Sequence, residues 1–391
     1  MRRQRGLVGL TGLATLVGLG MFAQPAMSGV TTEQSASILV FPKVIADGTR
    51  DTIIQITNTS NVMRHAHCFY VNAPSCTEID FDIWLTKQQP THWVVSRGRQ
   101  MYPLDQDCRN VPCDPNTSGG PRAPSDIATA IAVANCCDAG FDPGRVPPVA
   151  PDFEGELKCV EVDSSGGPIS GNSLKGEATI EDVASGDVSK YNAIGIKGNN
   201  NNNGDGTLCL GGSSAPADPT LCPLGAEYDA CPFSWYLDHA AASARDSVAE
   251  EKGVMSLVST NLTLVPCTEN FETQVPTSVT VQFQVTNEFE QTLSASTTVT
   301  CWASWDLGAK NGNGVSDIFN ASTLGGSLAQ TSIRSAAGTP RGVLAVIEET
   351  HLADLGTSPG GLTARSAQNG HTSFQDQPGL DKITIPADQV Q

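Results

Sequence analysis

The sequence predicts an all-β, mainly antiparallel protein built as two β-sandwich domains with long disulfide-stapled loops. Three observations predict it. Short segments alternate apolar and polar residues with period two, as strands buried on one side require. Turn formers separate them, with 38 Gly and 24 Pro among 391 residues. Twelve cysteines follow an opening that reads as an export signal. Many short strands between turn signals suit sandwiches or barrels better than α/β layers.

Taken from the N-terminus, "MRRQRGLVGLTGLATLVGLGMFAQPAMSG" places three arginines before an apolar run and small residues. That order predicts a signal peptide over residues 1–28, cut after Ser28 with Ala26 as the nearby alternative. The apolar run is Gly- and Thr-rich and near the minimum for spanning, which disfavours a retained anchor. Arg2-Arg3 hints at twin-arginine export, but its flanks match poorly. No cysteine adjoins the cut, so lipid attachment there is excluded, and no later run reaches the ~18 apolar residues of a membrane helix. The expectation is an exported chain with no transmembrane segment after processing, in the periplasm, at the cell surface or outside.

Among the strands, "RDTIIQITNTS" offers Ile54 and Ile56 to one face. "TSVTVQFQVTN" is the clearest, with Val279, Val281, Phe283 and Val285 on one side and Thr280, Gln282, Gln284 and Thr286 on the other. "LSASTTVTCWA" follows after the "EFEQT" connection, which predicts an antiparallel pair. "GELKCVEVD", "SLKGEATIEDV", "KYNAIGIKG", "SLVSTNLTLVPC", "RGVLAVIEETH" and "DKITIP" complete the set. Two helices are expected, in "PSDIATAIAVANCC" and at the centre of "FSWYLDHAAASARDSVAEEKG", although "FSWYLD" also suits a strand. A processed length of 391 − 28 = 363 residues exceeds one sandwich core, so the division falls into residues 35–246 and 256–391. At the level of fold the pattern resembles immunoglobulin-like or jelly-roll-like surface proteins, a likeness that carries no activity.

Charge removes some functions. The formal net charge is −18, and losing residues 1–28 removes three of 23 basic residues and none of 41 acids, giving 20 − 41 = −21. So acidic a chain repels polyanions, which excludes nucleic acid as a partner. The partners left open are a cell-surface or extracellular protein or a glycan. The cysteines stand at Cys68, Cys76, Cys108, Cys113, Cys136, Cys137, Cys159, Cys209, Cys222, Cys231, Cys267 and Cys301. An even count in an exported chain predicts disulfides, and the absence of any CxxC pair disfavours zinc ribbons. Twelve cysteines allow about 10⁴ complete pairings, so spacing alone does not give the connectivity.

"VMRHAHCFYVNAPSC" is the most chemically loaded stretch. In a strand, His65, His67, Phe69 and Val71 share one face and Ala66, Cys68 and Tyr70 the other. The two histidines could hold a divalent metal jointly, whereas Cys68 is kept from them without a bulge, which weakens a Cys/His nucleophile. The favoured reading is a structural strand with partly exposed histidines and Cys68 bonded to Cys159. "KGNNNNNGDGTLC" imitates a calcium loop through Asn199, Asn201, Asn203 and Asp205, but Leu210 stands where a bidentate Glu belongs; Asn311, Asn313 and Asp317 invite the same comparison. "GGPISGNS" carries Asn172 at the lysine position of a phosphate loop, which removes support for nucleotide binding. In "VIEETH", Glu349 and His351 share a face, as an acid–base or metal pair would. Glu288 and Glu290 read as a charged turn. No HExxH occurs. Asn58, Asn116, Asn261 and Asn320 begin glycosylation sequons. The expected function is a structural, adhesive or ligand-binding role without catalysis or cofactor, the alternative being a secreted metal-dependent enzyme using His65 and His67.

Overall fold

The computed structural model describes residues 29–99, 144–199, 204–211, 222, 225–245, 255–307, 317–336, 342–354, 362–369, 371–372 and 381–386. The expected signal peptide, the expected helix in "PSDIATAIAVANCC", Asn116, Asn201, Asn203, Asn311, Asn313 and the cysteines Cys108, Cys113, Cys136 and Cys137 lie outside them.

The architecture is all-β and nearly all antiparallel. The first nine strands are β1 (Ile38–Ala46), β2 (Arg50–Asn58), β3 (Arg64–Asn72), β4 (Glu78–Leu85), β5 (Pro90–Val94), β6 (Phe153–Val162), β7 (Leu174–Asp182), β8 (Val188–Asn192) and β9 (Ile194–Ile196). They form one sheet ordered β4-β3-β6-β1-β2-β7-β8, with β5 on β2 and β9 on β1. Strands β1 and β2 meet only at Ala46 and Asp51, whereas β1–β6 and β2–β7 pair along their lengths. The sheet therefore folds back on itself at the β1–β2 turn. Leu39, Phe41, Ile54, Ile56, Tyr70 and Leu157 fill the space between the halves. The approach is close: a Cβ added at Gly176 on β7 would stand 2.6 Å from the Phe41 ring, so only glycine fits.

The remaining strands are β10 (Thr207–Leu210), β11 (Ser234–Ala240), β12 (Met255–Pro266), β13 (Glu269–Asn270), β14 (Ser278–Asn287), β15 (Thr292–Thr300), β16 (Ala303–Asp306), β17 (Leu328–Ser335), β18 (Val343–Asp354), β19 (Leu362–Asn369), β20 (His371–Thr372) and β21 (Asp381–Thr384). A five-stranded sheet, β15-β14-β17-β11-β20, packs on a four-stranded one, β16-β12-β18-β19, and β10-β21-β13 form a small third sheet. Trp235, Leu262, Leu264, Phe283, Ile333 and Leu344 fill this second sandwich. The part of the second expected helix that also suited a strand, "FSWYLD", is β11, and the alanine-rich centre, as far as Arg245, forms bridges and a turn instead of a helix. Trp235, Leu237 and His239 alternate inward along β11, while beyond it the Ala241 and Ala242 N–H groups donate to the Ser327 and Phe319 carbonyls, tertiary bonds that override alanine's helix propensity.

The second core does not stop at the second sandwich. Ile38 and Val40 of β1, Phe69 of β3 and Val160 of β6 belong to the same cluster as Trp235 and Phe283. Strands β3, β6, β1 and β9 are thus covered on both faces, and all nine residues of β1 are buried. Phe271, from the turn after β13, stacks on Phe69 with centroids 4.1 Å apart. Strand β11, on the N-terminal side of the expected join, is hydrogen-bonded to β17 over its whole length.

Four disulfides staple the described residues. Cys68–Cys159 joins directly opposed residues of β3 and β6. Cys76–Cys301 ties the β3–β4 turn to the end of β15, Cys231–Cys267 ties the approach to β11 to the end of β12, and Cys209–Cys222 closes a local loop. Such bonds fit an oxidising compartment. No helix among the described residues is long and apolar enough to cross a membrane.

Candidate functional site

Strand alternation puts His65 and His67 on one face of β3 and Cys68 on the other, where it meets Cys159. The expectation that the histidines are partly exposed is corrected: they are 4% and 2% exposed, because the second sandwich and β4 cover that face. His65 Nδ1 lies 3.0 Å from the Asp163 carbonyl oxygen and Nε2 lies 2.7 Å from Asp82 Oδ1. Each ring nitrogen thus has an oxygen partner. Trp84 stacks on the imidazole at 3.7 Å. His67 Nε2 faces Asp80 at 3.3 Å, and this hydrogen bond holds the Asp80 carboxyl below its ordinary range. The stretch therefore builds a ladder of two imidazole–carboxylate pairs along the sheet. A metal ligand needs a free lone pair, and both nitrogens of His65 are already engaged. No group of three or more His, Cys, Asp or Glu placed to hold a metal occurs among the described residues.

Of the calcium-like loop, Asn199 hydrogen-bonds the Glu227 and Ala226 carbonyls through its backbone and side-chain nitrogens. Asp205 accepts from the Thr207 N–H at 2.8 Å, a local turn. Asn172, in the phosphate-loop imitation, takes a positive φ between β6 and β7 and accepts from the Gly198 N–H. Glu288 and Glu290 lie in the β14–β15 turn, where Glu288 accepts from the Ser327 and Leu328 N–H groups.

Glu349 and His351 do share a face of β18, with Glu349 Oε2 at 3.8 Å from His351 Nε2. Glu349 Oε1 also accepts from the Ala240 N–H at 2.7 Å, capping the β11 edge. Both residues line a groove of about 620 Å³ that continues over Asp238, Gln330, Leu328 and Thr286. His239, beneath it, is a packing residue. Its Nδ1–H donates to the Ala240 carbonyl, its Nε2 accepts from the Thr331 hydroxyl, and burial holds it towards the neutral form.

A second groove, of about 700 Å³, lies on the outer face of the same five-stranded sheet. The registers place Tyr236, Ser332, Gln284 and Ser294 in one row across four strands. Asp238, Gln330, Thr286 and Thr292 form the next row, with Gln330 Nε2 donating to Asp238 at 2.9 Å. Gln282, Ser296 and Arg334 border the groove. Strands ~4.8 Å apart and same-face residues ~6.8 Å apart space these side chains as a lattice of donors and acceptors, neutral but for Asp238 and Arg334, around one phenol ring. The alternation of "TSVTVQFQVTN" exposed this face in the sequence. Its continuation across β11 and β17 depends on register, which no local signal specifies.

Fold and side chains together define a disulfide-stapled all-β protein with a polar sheet face. No protein-family model matches the chain, and no curated protein matches it. Among solved structures, one titled Thermotoga maritima 1070 is similar at 8% identity and a TM-score of 0.23, covering 38% of this chain and 98% of that one. PBSX exported protein XepA is similar at 8% identity and a TM-score of 0.17, over 78% of this chain and 83% of that one.

Proposed function

We propose that this is an exported, non-catalytic binding protein that presents the outer face of β15, β14, β17 and β11 to a neutral glycan at or beyond the cell surface. The single observation carrying the reading is the side-chain lattice of that groove. In a chain of net charge −18 it gathers Gln, Ser, a Tyr and one Arg, with no carboxylate among its lining residues. Sugar hydroxyls both donate and accept, and amide and hydroxyl side chains answer both roles, while the Tyr236 ring offers a flat apolar surface to a pyranose. The four disulfides and the signal-like opening support an exported setting.

A panel of immobilised neutral and charged glycans, followed by calorimetric titration of the best binder, tests this. Tyr236→Ala is expected to abolish binding at an unchanged melting temperature, because the side chain lies on the outer face. Binding untouched by that change, or no binder among neutral glycans, would overturn the reading. The metal-dependent alternative separates in the same preparation: a stoichiometric transition metal lost in His67→Ala would favour it.

A further inference from the structure

Strand β15 is the edge of the five-stranded sheet, and no strand among the described residues pairs with its outer side. Edges of this kind are ordinarily blunted by charge, proline, bulges or brevity. The other edges comply. β4 carries Glu78, Asp80 and Asp82, β8 carries Lys190, β16 spans four residues with Asp306, and β20 spans two. β15 reads TLSASTTVT: nine residues with no charge and no proline, paired to β14 in unbroken register.

The sequence of this edge is nearly its own mirror about Ser296. An antiparallel pairing of two copies centred there sets Thr292 against Thr300, Ser294 against Thr298 and Ser296 against Ser296 on the exposed face. On the inner face it sets Leu293 against Val299 and Ala295 against Thr297. Hydroxyl thus meets hydroxyl outside, and small or apolar groups meet inside. The β14–β15 pair already uses this chemistry, with Ser278–Thr300 at 2.7 Å and Thr280–Thr298 and Thr286–Thr292 at 3.1 Å. Leu293 and Ala295 are only partly buried against the core, leaving apolar surface for a neighbouring strand to cover. Charge selects the place: two copies at −18 repel over most of their surfaces, and the neutral edge is where they approach without placing like charges opposite one another.

We propose that β15 is a self-association edge, pairing antiparallel with β15 of a second copy about a two-fold axis through Ser296. The contact joins two five-stranded sheets into one and sets two polar grooves side by side, so that a polymeric ligand meets two sites at once. The pairing is independent of what those grooves bind. One strand pair covers less than the ~800 Å² per partner of a standard interface, so the dimer is weak and concentration-dependent.

Sedimentation equilibrium over a concentration series at moderate salt tests this. The full chain is expected to show a reversible monomer–dimer equilibrium. Ser296→Lys, which sets two like charges on the axis from an exposed position, is expected to weaken it about tenfold or more at an unchanged melting temperature. An equimolar mixture of Ser296→Lys and Ser296→Glu is expected to restore association. A chain monomeric throughout, a dimer indifferent to Ser296→Lys, or a mixture no tighter than either variant alone would each overturn the proposal. Tyr236→Ala separates this from the function reading, since it is expected to lose ligand and keep the dimer.

Discussion

Glu156 of β6 is fully buried where the central sheet meets the second sandwich. Lys158 Nζ lies 2.6 Å from Glu156 Oε1 and also contacts the Glu269 carboxylate. Two carboxylates thus face one ammonium, and the arrangement is neutral only when one acid keeps its proton. Burial is the largest influence on Glu156. It outweighs the pull of Lys158, Glu269 adds to it, and the carboxyl is pushed from 4.5 up to about 8. Folding therefore holds a proton here that the unfolded chain releases. The group's contribution is full below 4.5 and is lost as pH rises towards 8, by up to about 5 kcal/mol.

Glu156→Gln keeps the oxygen that accepts from Lys158 and removes the titration. Denaturant melts of the wild type and this variant at about pH 5 and about pH 9 are expected to show the variant's advantage growing by roughly 4 kcal/mol between them. Glu78, whose carboxyl burial pushes up to about 7, titrates in both proteins and cancels from the difference. A stability difference equal at both pH values would refute the reasoning, since Glu156 would then carry the same charge folded and unfolded.

Two further predictions concern the same junction and the wall beside it. Lys43→Met strands the buried Glu348 carboxylate, now 2.6 Å from Lys43 Nζ, and is expected to cost about 3–5 kcal/mol in denaturant melts. Adding Glu348→Leu is expected to recover most of that, with multiple amide resonances if the pair fixes packing register. Cys68→Ala with Cys159→Ala opens a bond spanning 91 residues and is expected to cost about 4.5 kcal/mol by chain entropy, read against the oxidised wild type.

Strands with one wet face were legible in the sequence. Val279, Val281, Phe283 and Val285 announce their burial because Thr280, Gln282 and Gln284 between them face water. The central sheet was not legible in this way. Covered on both faces, β1 and β6 lose the alternation that marks an inside, and β3 hides two histidines that composition alone places near solvent. Glu349 and His351 were placed on one face by period two, but the groove around them needs β11, β14 and β17, which come from distant parts of the chain. Lys43, Glu156, Lys158 and Glu348 gave no signal, since a buried charge is visible only through its partner. Strand β1 also shifts register between Phe41 and Val44, where Pro42 supplies no N–H to the ladder.

The buried charges have a physical rationale in where they lie. The central half-sheet meets the second sandwich through Ile38, Val40, Phe69 and Val160, apolar surface that attracts without fixing a position. Lys43 reaches Asn261 of β12 and Glu348 of β18, Glu348 accepts from Ser189 of β8, and Lys158 reaches Glu269 of β13. Each contact joins the nine-stranded sheet to strands beyond it, and each is satisfied in one register only. Ion pairs of this kind cost desolvation and add little net stability, and a packing that separated the partners would leave a buried charge uncompensated. A polar groove formed from four strands needs that constraint: β11 is fixed against β18 through Glu349, and β18 is fixed against β1 through Glu348.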